Sequence, residues 1–259
     1  MEAASGWDGA AHHTHLDDPV TVLAMARFES MVARRAAGEP LQYVVGAWGF
    51  RGLDLLVDHR VLIPRPETEA VVEVALAELA RRGGGGAVAV DLGTGSGAIA
   101  LSLAVEAAPA GVWATDRSAD ALAVARANLA GTGGRAAAVV RLAEGDWYGA
   151  LPAGLAGRVD LVVANPPYLA EAEWAGLPTE VAAWEPRPAL VAGPTGLEQV
   201  DAVVAGAAAW LAPGGALVVE LAPHQADPAV AAAGSAGLVD AEVRPDLAGR
   251  PRVLVARQP

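Results

Sequence analysis

Two stretches of this 259-residue chain gather side chains able to do chemistry. The first, Asn165-Pro166-Pro167-Tyr168, follows directly on the apolar run 159–164. Two prolines fix the backbone and withhold two N–H donors, so their surroundings present carbonyl oxygens. The Asn165 side-chain oxygen and the Pro166 carbonyl can then accept both hydrogens of one –NH₂ group, while Tyr168 stacks on the flat group behind that nitrogen. Asn165, Pro166, Pro167 and Tyr168 therefore read as a receptor for a planar amine or amide, with Asn165, Pro166 and Tyr168 as its catalytic members. An amide nitrogen is a poor nucleophile because its lone pair is delocalised into the carbonyl. Accepting both hydrogens aims that lone pair at an electrophilic carbon and stabilises the positive charge building on nitrogen. A strong general base is not required, because the product ion is acidic and can lose its proton late. The competing reading is a bare Pro-Pro turn, which explains neither the position after a strand nor the glycine loop nearby.

The second stretch, Asp91-Leu-Gly-Thr-Gly-Ser-Gly97, joins an expected strand to an expected helix. Gly93, Gly95 and Gly97 let the backbone approach a ligand, Thr94 and Ser96 lie between them, and a helix start offers free N–H groups. Ala98 stands where the dinucleotide fingerprint has its third glycine. Alanine is tolerated there, so the loop alone leaves a nicotinamide enzyme open. Asp116 ends the next expected strand, where an acidic side chain reaches ribose hydroxyls in doubly wound folds. An acidic strand residue followed by G-x-G-x-G resembles the cofactor loop of class I methyltransferases, with Asp91 near the methionine end of S-adenosylmethionine. Asp146-Trp147 follows the third strand, and Trp147 is set against the adenine ring, although a structural tryptophan competes as an explanation.

These groups need a scaffold, and the pattern supplies one. Apolar runs at 87–92, 112–115, 137–142, 159–164, 216–221, 238–244 and 252–256 read as strands, and 97–106, 119–129, 197–211 and 228–234 as helices. Their alternation predicts an α/β fold with a mostly parallel seven-stranded sheet covered by helices on both faces. Upstream, Asp18 is expected to cap a helix opening at Pro19 and ending at Gly38, with Val20, Ala24, Phe28, Met31 and Val32 on one face. Residues 44–63 suggest a β-hairpin. A helix over about 68–82 has Glu67 and Glu69 at its start and Arg81 and Arg82 at its end, matching the helix dipole, and a glycine joint follows over 83–86. The proline-rich segment 166–194 lacks periodicity and reads as a long functional loop. Residues 1–16 read as a flexible terminus in which His12, His13 and His15 are solvated rather than metal-binding. The resulting division is an N-terminal tail and helix (1–40), a hairpin linker (41–63) and a catalytic domain (64–259).

Composition narrows the chemistry further. Apolar residues make up 53% of the chain and charged residues 19%, enough for a sizeable core. Cysteine is absent, which removes disulfides, thiol nucleophiles and thiolate metal sites. All 18 basic residues are arginines, so there is no P-loop lysine and no Schiff base. A formal charge of −12 argues against stable binding of nucleic acid. No basic segment leads into an apolar one at the start, so no signal peptide is read. The longest uncharged stretch, 202–219, is cut by Pro213-Gly214-Gly215, which favours helix, turn and strand over a membrane span.

Taken with Gly38-Glu-Pro-Leu-Gln-Tyr43, Ile63-Pro-Arg-Pro-Glu-Thr-Glu69, Gly145-Asp-Trp147, Glu185-Pro-Arg-Pro-Ala-Leu190 and Asp246-Leu-Ala-Gly249, these motifs resemble the HemK/PrmC family, the N5-glutamine methyltransferases of peptide chain release factors. The tetrapeptide at 165 also occurs in adenine-N6 DNA methyltransferases. The resemblance implies S-adenosylmethionine as cofactor, contacted by Gly93 to Gly97, Asp116, Trp147 and Asn165, and a substrate glutamine held by Asn165 to Tyr168. It places residues 64–69 beside the active site without giving them a role. It also implies a multi-helix N-terminal domain that helps hold the release factor, of which only the last helix, about residues 19–37, is legible here, as in an N-terminally shortened member. The expectation is a cytoplasmic monomer whose partner is a release factor, with no membrane attachment. The alternatives are a paralogue acting on glutamine in another protein, an adenine-N6 nucleic-acid methyltransferase, and a cofactor-binding scaffold without activity.

Overall fold

Residues 88–92, 159–164 and 216–220 are apolar apart from Asp91, Asp160 and Glu220 and almost wholly buried, which suits strands sandwiched between two helical layers. The computed structural model describes residues 2–7, 9–83 and 86–259; the side chain of His12 and part of the glycine joint expected over 83–86 lie outside that description. In order come α1 (Glu2–Ser5), α2 (Gly9–Thr14), α3 (Val22–Ala36), α4 (Leu41–Val45), β1 (Ala47–Phe50), β2 (Leu53–Leu56) and α5 (Pro66–Arg81). The sheet and its helices follow: β3 (Val88–Leu92), α6 (Ala98–Glu106), β4 (Gly111–Asp116), α7 (Ala119–Thr132), α8 (Gly134–Val139), β5 (Val140–Glu144) and β6 (Val159–Ala164). Then come β7 (Leu169–Ala170), α9 (Thr179–Trp184), β8 (Val191–Gly193), α10 (Glu198–Trp210), β9 (Leu211–Glu220), α11 (Ala226–Ser235), β10 (Val239–Pro245) and β11 (Pro251–Arg257).

Among the described residues the central sheet has seven strands in the order β10-β11-β9-β6-β3-β4-β5. Strands β9, β6, β3, β4 and β5 are parallel, and near one edge β11 runs antiparallel to both of its neighbours, β9 and β10. This is the expected seven-stranded, mostly parallel α/β sheet. On one face, α5 and α6 bury Val71, Ala75, Leu79, Ile99 and Leu103 against Leu161, Val163 and Val218, and Phe50 and Leu55 of the β1–β2 hairpin join that core. On the other face, α10 and α11 bury Val200, Val203, Val204, Ala229 and Ala233 against Val90, Val162, Leu217 and Leu254. Each buried Val or Leu contributes roughly 1.5–3 kcal/mol, so the sheet is held from both sides. A third cluster of Tyr43, Val57, Val61, Ile63, Ala121 and Val124, with Trp48 and Trp184 packed on it, ties the hairpin exit to α7.

Several local expectations are corrected. Residues 137–139 are helical and the strand starts at Val140, because the alanines at 136–138 extend the helix and β-branched Val139 and Val140 mark the change. Helix α3 starts at Val22: Thr21 Oγ1 accepts from Ala24 N at 3.1 Å, while Asp18 pairs with His15 Nδ1 at 2.5 Å instead of capping. The N-terminal tail is not structureless, since α1 and α2 are formed, Ala4 is buried and Trp7 stacks on His15 at 4.5 Å. The segment 166–194 holds β7, α9 and β8, with β7 and β8 paired in parallel. No helix among the described residues is long and apolar enough to cross a membrane.

Candidate active site

Register brings the functional loops to one edge. Leu92 pairs with Thr115 on one side and Ala164 on the other, and Asp116 pairs with Glu144, so β3, β4, β5 and β6 end level. The glycine loop, Asp116, Trp147 and Asn165 therefore emerge side by side at the carboxyl edge, around the strand where chain order reverses. They line a cavity of about 530 Å³. Gly93, Thr94, Gly95, Ser96, Asp116, Trp147, Asn165 and Pro167 are on its wall, joined by Arg60, Val61, Leu62 and Pro64 from the hairpin exit, Thr68 from α5, and Pro186, Pro188 and Ala189 from the segment before β8.

The loop is shaped by hydrogen bonds to its neighbours. Gly93 N and Thr94 N donate to Thr115 O at 2.9 and 2.8 Å, and Gly95 N donates to Asp116 Oδ2 at 2.9 Å. The other Asp116 oxygen accepts from Ser118 N at 2.9 Å, which fixes the carboxylate at the cavity edge. Gly93 has φ +74, and a Cβ there would meet the Trp147 ring at 3.3 Å. Trp147 itself has φ +42, and its Nε1 donates to Gln199 Oε1 at 3.1 Å, so its ring is locked over the loop.

Four expected contact residues stand behind the wall. Asp91 is fully buried; its Oδ2 accepts from Thr94 Oγ1 at 2.6 Å and from Ala100 N at 3.1 Å, which clamps the loop from below. Burial pushes its carboxyl up to about 7. Its Oδ1 is buried and has no hydrogen-bond donor among the described residues, so it can accept from a ligand ammonium or a bridging water. Gly97 opens α6 with φ +87, and a Cβ would press on Leu101 at 3.3 Å, so its smallness serves helix packing. Pro166 is buried. Tyr168 turns its hydroxyl toward Glu220 Oε1 at 3.5 Å, with the Arg252 guanidinium 5.9 Å from its ring centre. Burial, reinforced by Glu220, pushes the Tyr168 hydroxyl up to about 12.

Other participants had no role evident from the sequence. Asn165 Nδ2 donates to Thr68 Oγ1 at 3.1 Å, and Thr68 donates to Glu220 Oε2 at 2.7 Å. Glu220 ends β9 beside Asn165 because Ala164 pairs with Val219. Gln225 Nε2 donates to Tyr168 O and Gly196 O, both at 2.9 Å, and so holds the turn carrying Tyr168. Arg65 forms an ion pair with the buried Glu185, whose Oε2 also accepts from Ile63 N at 3.3 Å, joining the two proline-rich rims of the cavity. A signal for Glu220 existed, an acid closing a wholly apolar strand, but nothing local tied it to Thr68.

Fold and site together define a class I methyltransferase. The chain superposes on a methyltransferase from Pyrococcus furiosus with a TM-score of 0.57, covering 90% of this chain and 97% of that one at 20% identity. A T. thermophilus 16S rRNA methyltransferase, solved with AdoMet and guanosine, shares the fold with a TM-score of 0.56 over 82% of this chain and 50% of that one, also at 20% identity. Residues 1–46 match the PrmC N-terminal domain and residues 72–179 the methyltransferase small domain. The N-terminal match begins ahead of the single helix legible in the sequence and takes in α1 and α2 as well. The release factor glutamine methyltransferase of Cereibacter sphaeroides is 43% identical over 252 residues, 97% of this chain and 86% of that protein. That of Burkholderia pseudomallei is 44% identical over 258 residues, 99% and 89% respectively. The chain belongs to the release factor glutamine methyltransferase family.

Proposed function

We propose that this protein transfers a methyl group from S-adenosylmethionine to the side-chain amide nitrogen of a glutamine in a peptide chain release factor, in the cytoplasm. The observation that carries this reading is that one cavity joins the glycine loop, Asp116 and Trp147 to Asn165, whose amide nitrogen is bonded to Thr68 and whose amide oxygen has no hydrogen bond among the described residues. The donor set suits the cofactor: a backbone cradle at Gly93 and Gly95, a carboxylate at Asp116 for ribose hydroxyls, and the Trp147 ring for adenine. When bound, S-adenosylmethionine supplies a methyl group on an electrophilic sulfonium centre. Asp91 acts through the loop it clamps. Asn165 Oδ1 and the Pro166 carbonyl accept the two amide hydrogens of the glutamine and aim its lone pair, and Pro167 bounds the pocket. Tyr168 stacks on the amide plane after turning from its position beside Glu220. Pro64, Pro186 and Pro188 roof the cavity and limit water. Residues 1–40 form the portion that approaches the release factor, 41–63 the connecting hairpin and 64–259 the catalytic domain.

The test is transfer of labelled methyl from S-adenosylmethionine to a purified release factor. Incorporation is expected, and it should vanish when the acceptor glutamine is replaced by alanine. Label that persists on that variant, or none on any release factor, would overturn the reading.

A further inference from the structure

We propose that Thr68 and Glu220 are positioning residues of the glutamine site: the Glu220 carboxylate sets the direction of a hydrogen-bond chain through the Thr68 hydroxyl, which keeps the Asn165 amide oxygen, and not its nitrogen, toward the substrate. The inference rests on the function proposed above and deepens it.

The two ends of a carboxamide have almost the same shape, so packing alone cannot decide which of them faces the cavity. Hydrogen bonding must decide, and the partner of Asn165 is a hydroxyl, which both donates and accepts. The Thr68 hydroxyl accepts from Asn165 Nδ2 at 3.1 Å only because its own proton points to Glu220 Oε2 at 2.7 Å. An ionised carboxylate can only accept. Glu220, 1% exposed at the end of β9, therefore forces the Thr68 proton one way and the Asn165 amide the other. The outcome is an acceptor aimed into the cavity, which is what a substrate –NH₂ requires.

A proton on Glu220 removes that instruction. Glu220 can then donate to Thr68, Thr68 can donate to the amide oxygen, and the Asn165 nitrogen turns to the cavity, where it opposes the substrate –NH₂ donor to donor. The groups facing Glu220 are Arg252 from β11, Glu67 from the first turn of α5, and the Tyr168 hydroxyl. Burial outweighs Arg252 and the Thr68 hydrogen bond and pushes the Glu220 carboxyl up to about 7, so its charge changes within the working range of pH. The stretch Ile63 to Glu69 thereby gains a role: Pro66 starts α5 so that Thr68, in its first turn, reaches both Asn165 and Glu220.

Kinetics of the full chain with S-adenosylmethionine and a release factor provide one test. Thr68→Val should lower kcat by about 100-fold, the scale of losing one oriented polar contact in an active site, with cofactor affinity near that of the parent. Thr68→Ser, which keeps the hydroxyl, should restore most of the rate. The parent should lose activity below about pH 7, and Glu220→Gln should flatten that acid limb. Thr68→Val working at the parental rate, or an acid limb unchanged in Glu220→Gln, would overturn the proposal. A second readout needs no turnover: the Asn165 side-chain NH₂ resonances should titrate with Glu220 in the parent and lose that titration in Thr68→Val. An unaltered titration in that variant would equally sink it. A parent that methylates no release factor would fail the functional reading alone, and the amide resonances would still decide the hydrogen-bond chain.

Discussion

The Trp147 ring lies so close to Gly93 that a Cβ on the glycine would stand 3.3 Å from Cζ3 of the indole. Both residues adopt positive φ, +74 and +42, so two left-handed turns from different strands close on each other. The contact seats the edge of the indole directly on the loop backbone and so fixes where the ring stands on the cavity wall.

Gly93→Ala should therefore act on the cofactor first. Strain at positive φ and displacement of Trp147 cost about 1–3 kcal/mol, equivalent to weaker S-adenosylmethionine binding by roughly tenfold to a hundredfold. Calorimetric titration measures this directly.

Asn165→Ala removes the acceptor for the substrate amine while leaving the glycine loop, Asp116 and Trp147 in place. Turnover should fall by at least about 100-fold, with cofactor binding changed only a few-fold. Single-turnover methyl transfer together with calorimetry separates the two effects.

Arg65→Ala should loosen the roof of the cavity. It strands the buried Glu185 carboxylate with the Ile63 N–H as its remaining partner. Because Arg65 is itself partly exposed, the cost should fall to about 2 kcal/mol, below that of breaking a fully buried pair. Glu185→Gln, which leaves only the partly exposed Arg65 charge unpaired and no buried one, should cost less. Urea denaturation of both variants supplies the comparison.

Stability should fall as pH rises through the window from about 4.5 to about 7. Glu220 has its folded-state value raised to about 7, so between those limits the folded chain binds more protons than the unfolded one. Asp91, likewise raised to about 7 by burial, acts in the same direction. The stabilisation is complete below the unfolded value and lost above the folded one. Relative to Glu220→Gln, the parent should lose on the order of 3 kcal/mol between pH 4.5 and 8, read from denaturation curves at each pH.

Gly196→Ala should disturb the protein substrate rather than the cofactor. A Cβ at φ +87 would stand 2.8 Å from Tyr168 O and 3.0 Å from Ala170 N, so the turn carrying Tyr168 must shift. The expected result is a KM for the release factor raised by about tenfold, for a loss of roughly 1.4 kcal/mol, with S-adenosylmethionine affinity retained.

Much of this molecule was legible because its signals are local. The apolar runs at 159–164 and 252–256 could hardly be anything but strands, and three alternating glycines after Asp91 mark a turn that only small residues can make. Boundaries failed where local preferences compete, as at 137–139, where alanine carried the helix onward. Capping failed at Asp18 because His15 offered its carboxylate another partner.

The sequence by itself determined the succession of the central strands and most of the helices between them, the glycine loop and the place of Asn165 at a strand end, since each depends on residues within a turn or two of one another. Tertiary structure alone decided that Thr68 reaches Glu220 across 152 positions and that Arg65 meets Glu185 across 120. The first pairing exists because β9 lies beside β6 in the sheet and α5 crosses above both, and strand order is a property of global packing that no short window contains. The same packing excludes water around Glu220 and Asp91, and so gives two ordinary carboxyl groups their altered affinity for a proton.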